Sequence, residues 1–170
     1  VRKPLAYAAL KQWVMEEYPF LIYPKCEADD VMGIVATQPK SNCIIVSDDK
    51  DMQTIPSKLY RKGEVVTISE HEADMYFFQQ TLTGDVTDGY PGCPGYGEKT
   101  AIKLLDEAVE EGTPWADQKQ MNEIVWKYVK AAYNSKGITE EEALVQARCA
   151  RILRSSDWDQ EKKEVKLWQP

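Results

Sequence analysis

Residues 26–51 decide the fold, and they read C-E-A-D-D-V-M-G-I-V-A-T-Q-P-K-S-N-C-I-I-V-S-D-D-K-D. The β-branched run at 43–47 has the pattern of a buried strand. Asp49 and Asp51 follow directly after this run. In open α/β sheets, functional sites form beyond the carboxyl ends of such strands. The stretch therefore predicts an α/β fold with an acidic site at one edge of its sheet.

Carboxylates recur in three short groups along the chain. The groups are Glu27, Asp29 and Asp30, then Asp49 and Asp51, then Asp85 and Asp88. Like charges crowded at the ends of elements repel one another and cost stability unless a cation neutralises them. Hard divalent cations take oxygen ligands, and two of them about 4 Å apart can support phosphodiester cleavage. The pattern predicts a Mg²⁺ site, with solvated turns and helix caps as the alternative interpretation.

The first acidic group leaves two geometries open. If residues 27–30 are all helical, Glu27 and Asp30 share one face and Asp29 points away from them. If Glu27 precedes the helix, Glu27 and Asp29 can converge instead. Spacing alone does not decide between these arrangements.

The remaining chain predicts short strands in its first half and helices in its second. Ser69 and Glu72 form the pattern of a capping box at the start of one helix, and Thr139 and Glu142 do so at another. The predicted helices are 4–18, 28–37, a short turn at 52–55, 69–82, 99–109, 115–134 and 139–153. The predicted strands are 20–23, 43–47, 58–61, 64–68 and 164–168.

Residues 84–97 form a glycine-rich loop that precedes a helix. The loop contains five glycines and two prolines, a composition that excludes a regular element. Glycines allow a ligand to approach the backbone closely, and free N–H groups at a helix N-terminus bind phosphate. Lys99 and Lys103 add positive charge there. Because Glu98 separates Gly97 from Lys99, the loop is not a Walker A motif, and a simple connector is the alternative.

Composition bounds the class of protein. The formal net charge is −7, which counts against a simple electrostatic nucleic-acid binder unless bound ions reverse the local field. Four cysteines without C-x-x-C spacing indicate reduced thiols in a cytoplasmic protein. His71 is the single histidine, which excludes histidine-rich metal sites. Arg148, Arg151 and Arg154 predict a basic stripe on the last helix, with a solvated face as the alternative.

The motifs together resemble a known family. E-A-D-D-V-M-G, I-I-V-S-D-D-K-D and G-D-V-T-D-G-Y-P-G-C-P-G-Y-G-E-K-T-A are similar, in this order, to the 5′→3′ exonuclease/flap endonuclease family. Within that family the pattern looks most like the podophage (T7-type) exonucleases, and the resemblance spans nearly the whole chain. It implies an α/β fold with a PIN-like (resolvase-like) nuclease core, a helix–three-turn–helix and a helical C-terminal part. The implied division is 1–83 for the core and 84–170 for the DNA-binding module with the C-terminal helices.

The resemblance also implies roles for single residues. The expected catalytic residues are Glu27, Asp29, Asp49, Asp51 and Asp85. The expected metal ligands are Glu27, Asp29, Asp30, Asp49, Asp51, Asp85 and Asp88. The expected DNA contacts are Gly92, Gly95, Gly97, Lys99, Thr100 and Lys103, in a module that in some members also holds K⁺. The family pattern favours the geometry in which Glu27 precedes its helix.

The implied function is Mg²⁺-dependent 5′→3′ exonuclease activity, with Mn²⁺ as a substitute ion. The expected substrate is duplex DNA with a 5′ end, with flaps and RNA–DNA hybrids as further substrates, during DNA replication in the host cytoplasm. Family members begin with a strand that carries another metal-binding acid, so we expect a fragment that lacks the N-terminal part and has an incomplete metal site. The alternatives are a non-catalytic duplex DNA-binding module and a hydrolase of small phosphate esters.

Overall fold

A computed structural model describes residues 3–112 and 116–170, in a mixed α/β arrangement that confirms the predicted class. The helices are α1 (Tyr7–Glu17), α2 (Ala28–Ala36), α3 (Glu70–Thr83), α4 (Glu98–Glu111), α5 (Gln118–Asn134) and α6 (Glu140–Ala150). The strands are β1 (Ile44–Val46), β2 (Lys58–Arg61), β3 (Glu64–Thr67), β4 (Trp158–Asp159) and β5 (Glu164–Val165). Two 3₁₀ turns cover Lys50–Thr54 and Ser155–Asp157.

The main sheet has three strands in the order β1-β2-β3. Strand β1 runs parallel to β2, and Ile45 lies opposite Leu59. The β2–β3 pair is an antiparallel hairpin that turns at Lys62 and Gly63, both at positive φ. Ile45 and Leu59 are buried in a small core with Met52 and Ile55. This core holds the carboxyl end of β1 against the 3₁₀ turn that follows it.

The predicted buried strand at 43–47 is present as Ile44–Val46, but only one of its faces is buried. Ile44 and Val46 are 47% and 69% exposed, whereas Ile45 between them is 4% exposed. Among the described residues β1 is an edge strand, and its outer side chains have little to pack against. A continuous β-branched run occurs both in strands covered on one face and in strands covered on two. The sequence pattern therefore did not distinguish between these two cases.

The second half is helical, as the sequence predicts, and its helices share a core with α3. Helix α3 packs against α4, α5 and α6, and it also packs against the 3₁₀ turn after β1. The centre of this core comprises Phe77, Phe78, Leu82, Ala101, Leu105, Val125, Val129, Ala143 and Ala147. Because α3 contacts both halves, it connects the sheet to the helices.

Several predicted boundaries require correction. The segment 20–23 is irregular, and Phe20, Leu21 and Ile22 are exposed, because no described strand pairs with it. The last helix ends at Ala150, where Arg151 turns to an extended backbone, and not at residue 153. The strand predicted at 164–168 is limited to Glu164–Val165, paired with Trp158–Asp159. The start of the helix predicted from 115 lies outside the described residues.

Within the described ranges, the helices are all too short or too polar to traverse a lipid bilayer.

Candidate metal centre

The N-terminus of α2 positions the first acidic group. Glu27 is the residue before the helix, with an extended backbone at φ −80° and ψ 171°. The second of the two geometries left open by the sequence is therefore the observed one. Asp29 is in the first turn, and burial raises the pKa of its carboxyl, with further increases from Asp49 and Glu27. These three carboxylates consequently face a shared space.

Asp30 connects α2 to the C-terminal part of the chain. One carboxylate oxygen of Asp30 accepts the backbone N–H of Glu27 at 3.1 Å, and the other accepts the N–H of Leu153 at 3.1 Å. Both oxygens thus hold backbone donors that are far apart in sequence. Asp30 has a structural role here in addition to lying in the acidic group.

The turn after β1 points the side chains of three neighbouring aspartates in different directions. Asp49 caps the 3₁₀ turn, and its Oδ1 accepts the N–H of Asp51 at 2.9 Å. Asp48 makes its hydrogen bonds to the β2–β3 hairpin. Its Oδ1 accepts the N–H of Lys62, and its backbone carbonyl accepts the Nε–H of Arg61. The turn therefore directs Asp49 and Asp51 toward the acidic group and Asp48 toward the β2–β3 hairpin.

A tight loop after α3 positions the third group. Asp85 and Tyr90 exchange two backbone hydrogen bonds of 2.9 and 3.1 Å, and Oδ1 of Asp85 accepts the N–H of Thr87 at 2.8 Å. Gly84 and Gly92 lie back to back at positive φ, and a Cβ on either would collide with the backbone of the other. The loop can close in this way only with glycine at both positions.

All seven predicted acids come together. A cavity of about 500 Å³ is lined by acids from all three groups. Asp85 is not part of the lining, but its carboxylate lies close to those of Asp51 and Asp88, which are. One carboxylate oxygen from each of Asp51, Asp85 and Asp88 lies within 4.8 Å of the other two. The acids that line the cavity are Glu27, Asp29, Asp30, Asp49, Asp51 and Asp88. An all-oxygen donor set of this kind suits Mg²⁺ or Mn²⁺.

Two further residues at the centre were not predicted from the sequence. Nζ of Lys50 lies 2.7 Å from Oδ1 of Asp51 and 2.7 Å from Oδ2 of Asp85. Gln80, on α3, is buried, and its Nε2 donates to the same Oδ1 of Asp51. The position of Lys50 between two predicted ligands was a signal that could have identified it. Gln80 had no such signal, because glutamine is common in helices.

The pKa values of the acids in the cavity are shifted in different directions. A hydrogen bond from Lys50 lowers the pKa of Asp85, and the Thr87 N–H lowers it further. Burial raises the pKa of Asp88, and the charges of Asp85 and Asp51 add to this effect. Burial alone would lower the pKa of Lys50, but its hydrogen bonds to the two aspartates raise it overall. A single ammonium thus offsets part of a strongly negative cluster.

The glycine-rich loop leads into α4. Gly97 is the residue before the helix, and Lys99 and Thr100 are exposed in its first turn. Lys103 follows one turn later with its ammonium 3.8 Å from Glu107 in an exposed pair. The other two predicted DNA contacts differ: Gly95 is exposed beside the ammonium of Lys136, whereas Gly92 is buried and donates its N–H to Gln146. Lys136 was not predicted.

The predicted basic stripe on the last helix is wrong. Arg151 and Arg154 lie beyond the end of α6, and both are buried in ion pairs, with Asp157 at 2.9 Å and Asp74 at 2.7 Å. Nε of Arg148 donates to the carbonyl of Trp168. The partners lie on other elements of the fold, so the i, i+3 spacing did not reveal them. Arg148 and Arg151 line the acidic cavity, whereas Arg154 lies against α3 and the 3₁₀ turn, so the three do not form an open cationic face.

Comparisons with known proteins give a consistent set of relatives. No protein-family model matches the chain. The chain is 32% identical to the exonuclease of Escherichia phage T7 over all of its own length and 65% of that protein. It is 30% identical to the exodeoxyribonuclease of Enterobacteria phage T3, over 99% of the chain and 64% of that protein. A 5′-3′ exonuclease of Halalkalibacterium halodurans is 30% identical over 72% of the chain. The chain thus spans about two thirds of the length of the two phage relatives.

Proposed function

We propose that this chain carries the metal centre of a 5′→3′ exonuclease that hydrolyses phosphodiester bonds of duplex DNA, because it is similar to a phage exonuclease and a phage exodeoxyribonuclease along nearly its whole length and to a 5′-3′ exonuclease over 72% of it. The observation that carries this proposal is the convergence of three acidic groups, distant in sequence, on one cavity. Such crowding of carboxylates is costly unless cations offset it, so the cavity is well suited to divalent ions.

The residues of the cavity fit Mg²⁺, with Mn²⁺ as a substitute. Glu27, Asp29, Asp49, Asp51 and Asp85 are the proposed catalytic ligands, with Asp30 and Asp88 completing the set. When bound, the ions would lower the pKa of a water molecule and offset charge on the phosphodiester. The protein's own contribution is to hold the carboxylates in place: Gln80 orients Asp51, the loop hydrogen bonds orient Asp85, and Asp30 fixes α2. No side-chain nucleophile is required.

The proposed organisation is a PIN-like core at 1–83 and a helix–three-turn–helix with the C-terminal helices at 84–170. Support for a DNA contact comes from the exposed N-terminus of α4, where Lys99 and Thr100 lie beside Gly95 and Gly97. Backbone N–H groups at such a terminus bind phosphate oxygens. Lys103 would add positive charge, and Gly92 would shape the loop. A K⁺ ion would bind in the same module, as it does in some family members. Binding through phosphates is independent of sequence and falls steeply with salt.

The proposed substrate is duplex DNA with a 5′ end, and flaps and RNA–DNA hybrids are further candidates, in the cytoplasm of the host cell. Proteins similar to this chain include exonucleases, an exodeoxyribonuclease and a flap endonuclease. Activity is proposed for the protein that carries this chain.

The test is the double substitution Asp49→Asn with Asp85→Asn in the protein that carries this chain. We expect loss of Mg²⁺-dependent cleavage of 5′-labelled duplex DNA with duplex binding retained. The matched control is Asp48→Asn, which removes an adjacent carboxylate that faces the β2–β3 hairpin. Intact cleavage in the double variant would contradict the proposed ligands.

The same assay tests the two alternatives. A wild-type protein that binds duplex and never cleaves it would favour a non-catalytic binding module. That alternative would hold DNA through the glycine-rich loop and the C-terminal arginines, and it is weakened because Arg151 and Arg154 are engaged in ion pairs within the fold. A hydrolase of small phosphate esters would act on a small ester without competition from duplex DNA.

A further inference from the structure

Lys50 lies among the acids that would bind a divalent ion. Its ammonium contacts Oδ1 of Asp51 and Oδ2 of Asp85, each at 2.7 Å. These two residues belong, with Asp88, to the cluster whose oxygens lie within 4.8 Å of one another. An ion bound to this cluster would therefore compete with the ammonium of Lys50 for the carboxylates of Asp51 and Asp85.

The side chain of Lys50 is able to leave. Half of its surface is exposed, and lysine has a flexible stem and a strongly hydrated head group. Gln80, by contrast, is buried on α3 and donates to Asp51 from the protein side. The cluster thus combines one fixed donor with one removable cation.

Building on the proposed metal centre, we infer that Lys50 is a tethered counter-cation that binds Asp51 and Asp85 in the metal-free protein and is displaced when a divalent ion binds. In the metal-free state its charge offsets the repulsion between the two carboxylates and keeps the 3₁₀ turn next to the loop at 84–92. The same contacts reduce the apparent affinity for an ion, since only the fraction of molecules with Lys50 released is ready to bind.

The test is Mn²⁺ binding to this 170-residue chain, measured by calorimetry for the wild type and for Lys50→Met. Methionine keeps much of the length of the side chain and removes its charge. We expect Mn²⁺ to bind Lys50→Met roughly 10- to 100-fold more tightly, the range that charge-assisted hydrogen bonds correspond to. The matched control is Lys103→Met, which also removes one charge, but from an exposed pair with Glu107 on α4. Its Mn²⁺ affinity should equal that of the wild type.

Two further readouts do not depend on that comparison. In chelator Lys50→Met should melt at a lower temperature than the wild type, and saturating Mn²⁺ should raise its Tm by more than it raises that of the wild type. In the wild type, acetylation of Lys50 by acetic anhydride, followed by mass spectrometry, should increase when Mn²⁺ is added, while acetylation of Lys103 stays constant.

The outcomes separate this inference from the proposed function. If the wild type and Lys50→Met bind Mn²⁺ with equal affinity, or if Lys103→Met gains as much as Lys50→Met, the inference about Lys50 is wrong and the metal centre remains. If neither the wild type nor Lys50→Met binds Mn²⁺, the inference about Lys50 is wrong, and the metal part of the proposed function is then decided by the same titration on the protein that carries this chain.

Discussion

Identical side chains only a few residues apart acquire different roles at the turn after β1. Asp48 accepts the N–H of Lys62, Asp49 caps the 3₁₀ turn, and Asp51 enters the cavity and meets Lys50. The residue types predicted an acidic site, but their directions depend on backbone angles in a turn, where no fixed period applies. Partners from distant positions, such as Gln80, then determine which carboxylate oxygens stay free.

Gln80 should tune the metal centre through Asp51. Substitution Gln80→Leu removes the amide that orients Asp51 while keeping similar volume, and stability should change little because Lys50 still donates to the same Oδ1 of Asp51. Metal affinity should fall by about 10- to 100-fold, as is typical when an outer partner of a ligand is lost. Calorimetry with Mn²⁺ measures this, with Gln79→Leu, one position along α3 and outside the cavity, as the control. Equal affinities for both variants would show that Gln80 has no orienting role.

Asp29 should lower the stability of the metal-free protein at neutral pH. Burial and the neighbouring acids raise the pKa of Asp29 above its ordinary value, so the folded state binds this proton more readily than the unfolded state does. Stability is therefore lost as the pH rises from the ordinary pKa through the raised one. Asp29→Asn should recover it, raising the free energy of unfolding at pH 7 by about 1 kcal/mol or less, since the charge is only partly buried.

The measurement is urea unfolding in chelator at pH 7 for Asp29→Asn and for Asp159→Asn. The N–H of Lys162 lowers the pKa of Asp159, so Asp159 contributes stability above its ordinary pKa, and its asparagine variant should be less stable than the wild type. Shifts of the same sign in both variants would argue against the electrostatic explanation.

At the scale of elements, α3 connects the acidic cavity to the helical half. Near its start, buried Asp74 pairs with Arg154 at 2.7 Å, and Arg154 also donates to the carbonyl of Thr54 at the end of the 3₁₀ turn. Near its end, Gln80 reaches Asp51. The capping box of Ser69 and Glu72, predicted from the sequence, is present at its N-terminus. A single helix thus fixes the turn that carries two of the acids.

Breaking the pair between Asp74 and Arg154 should be costly. Asp74→Ala leaves Arg154 buried without its charge partner and also removes the acceptor for Gln118 and Asn122. The expected loss is about 3–5 kcal/mol, the usual result of removing one member of a buried pair. Denaturant unfolding measures it, with Glu107→Ala on the exposed pair with Lys103 as the control. A loss as small as that of the control would mean that the buried pair does not hold α3 and the 3₁₀ turn together.

The loop at 84–92 should tolerate alanine at one glycine and not at another. Gly89 and Gly92 both have positive φ, but a Cβ on Gly89 meets open space and one on Gly92 meets the backbone of Thr83 and Gly84. Gly89→Ala should cost about 1–2 kcal/mol from backbone strain alone. Gly92→Ala should cost clearly more and should also weaken Mn²⁺ binding, because the loop carries Asp85 and Asp88. Equal losses of stability in the two variants would exclude close backbone packing as the cause.

For the molecule as a whole, the sequence predicted elements and residue types better than it predicted long-range partners. The three acidic groups, the hairpin at Lys62 and Gly63 and the helices of the second half follow from local patterns. The half-exposed face of β1 and the burial of Arg151 and Arg154 depend on which elements pack together. Those contacts join positions up to about 100 residues apart, such as Arg154 and Thr54, so no local period encodes them.

The net charge of −7 also has an explanation at this scale. Six of the carboxylates line one cavity and that of Asp85 lies beside two of them, where divalent ions would reverse the local field. The negative net charge is therefore compatible with the proposed DNA substrate once the cavity holds metal.

The most direct measurement is calorimetric titration of Mn²⁺ into this chain at neutral pH, for the wild type, Asp51→Asn and Asp48→Asn. We expect binding by the wild type, equal binding by Asp48→Asn, and loss of binding by Asp51→Asn, because Asp51 belongs to the oxygen cluster and Asp48 faces the β2–β3 hairpin. Binding that survives Asp51→Asn, or that Asp48→Asn weakens equally, would contradict the assignment of the cavity as a metal centre.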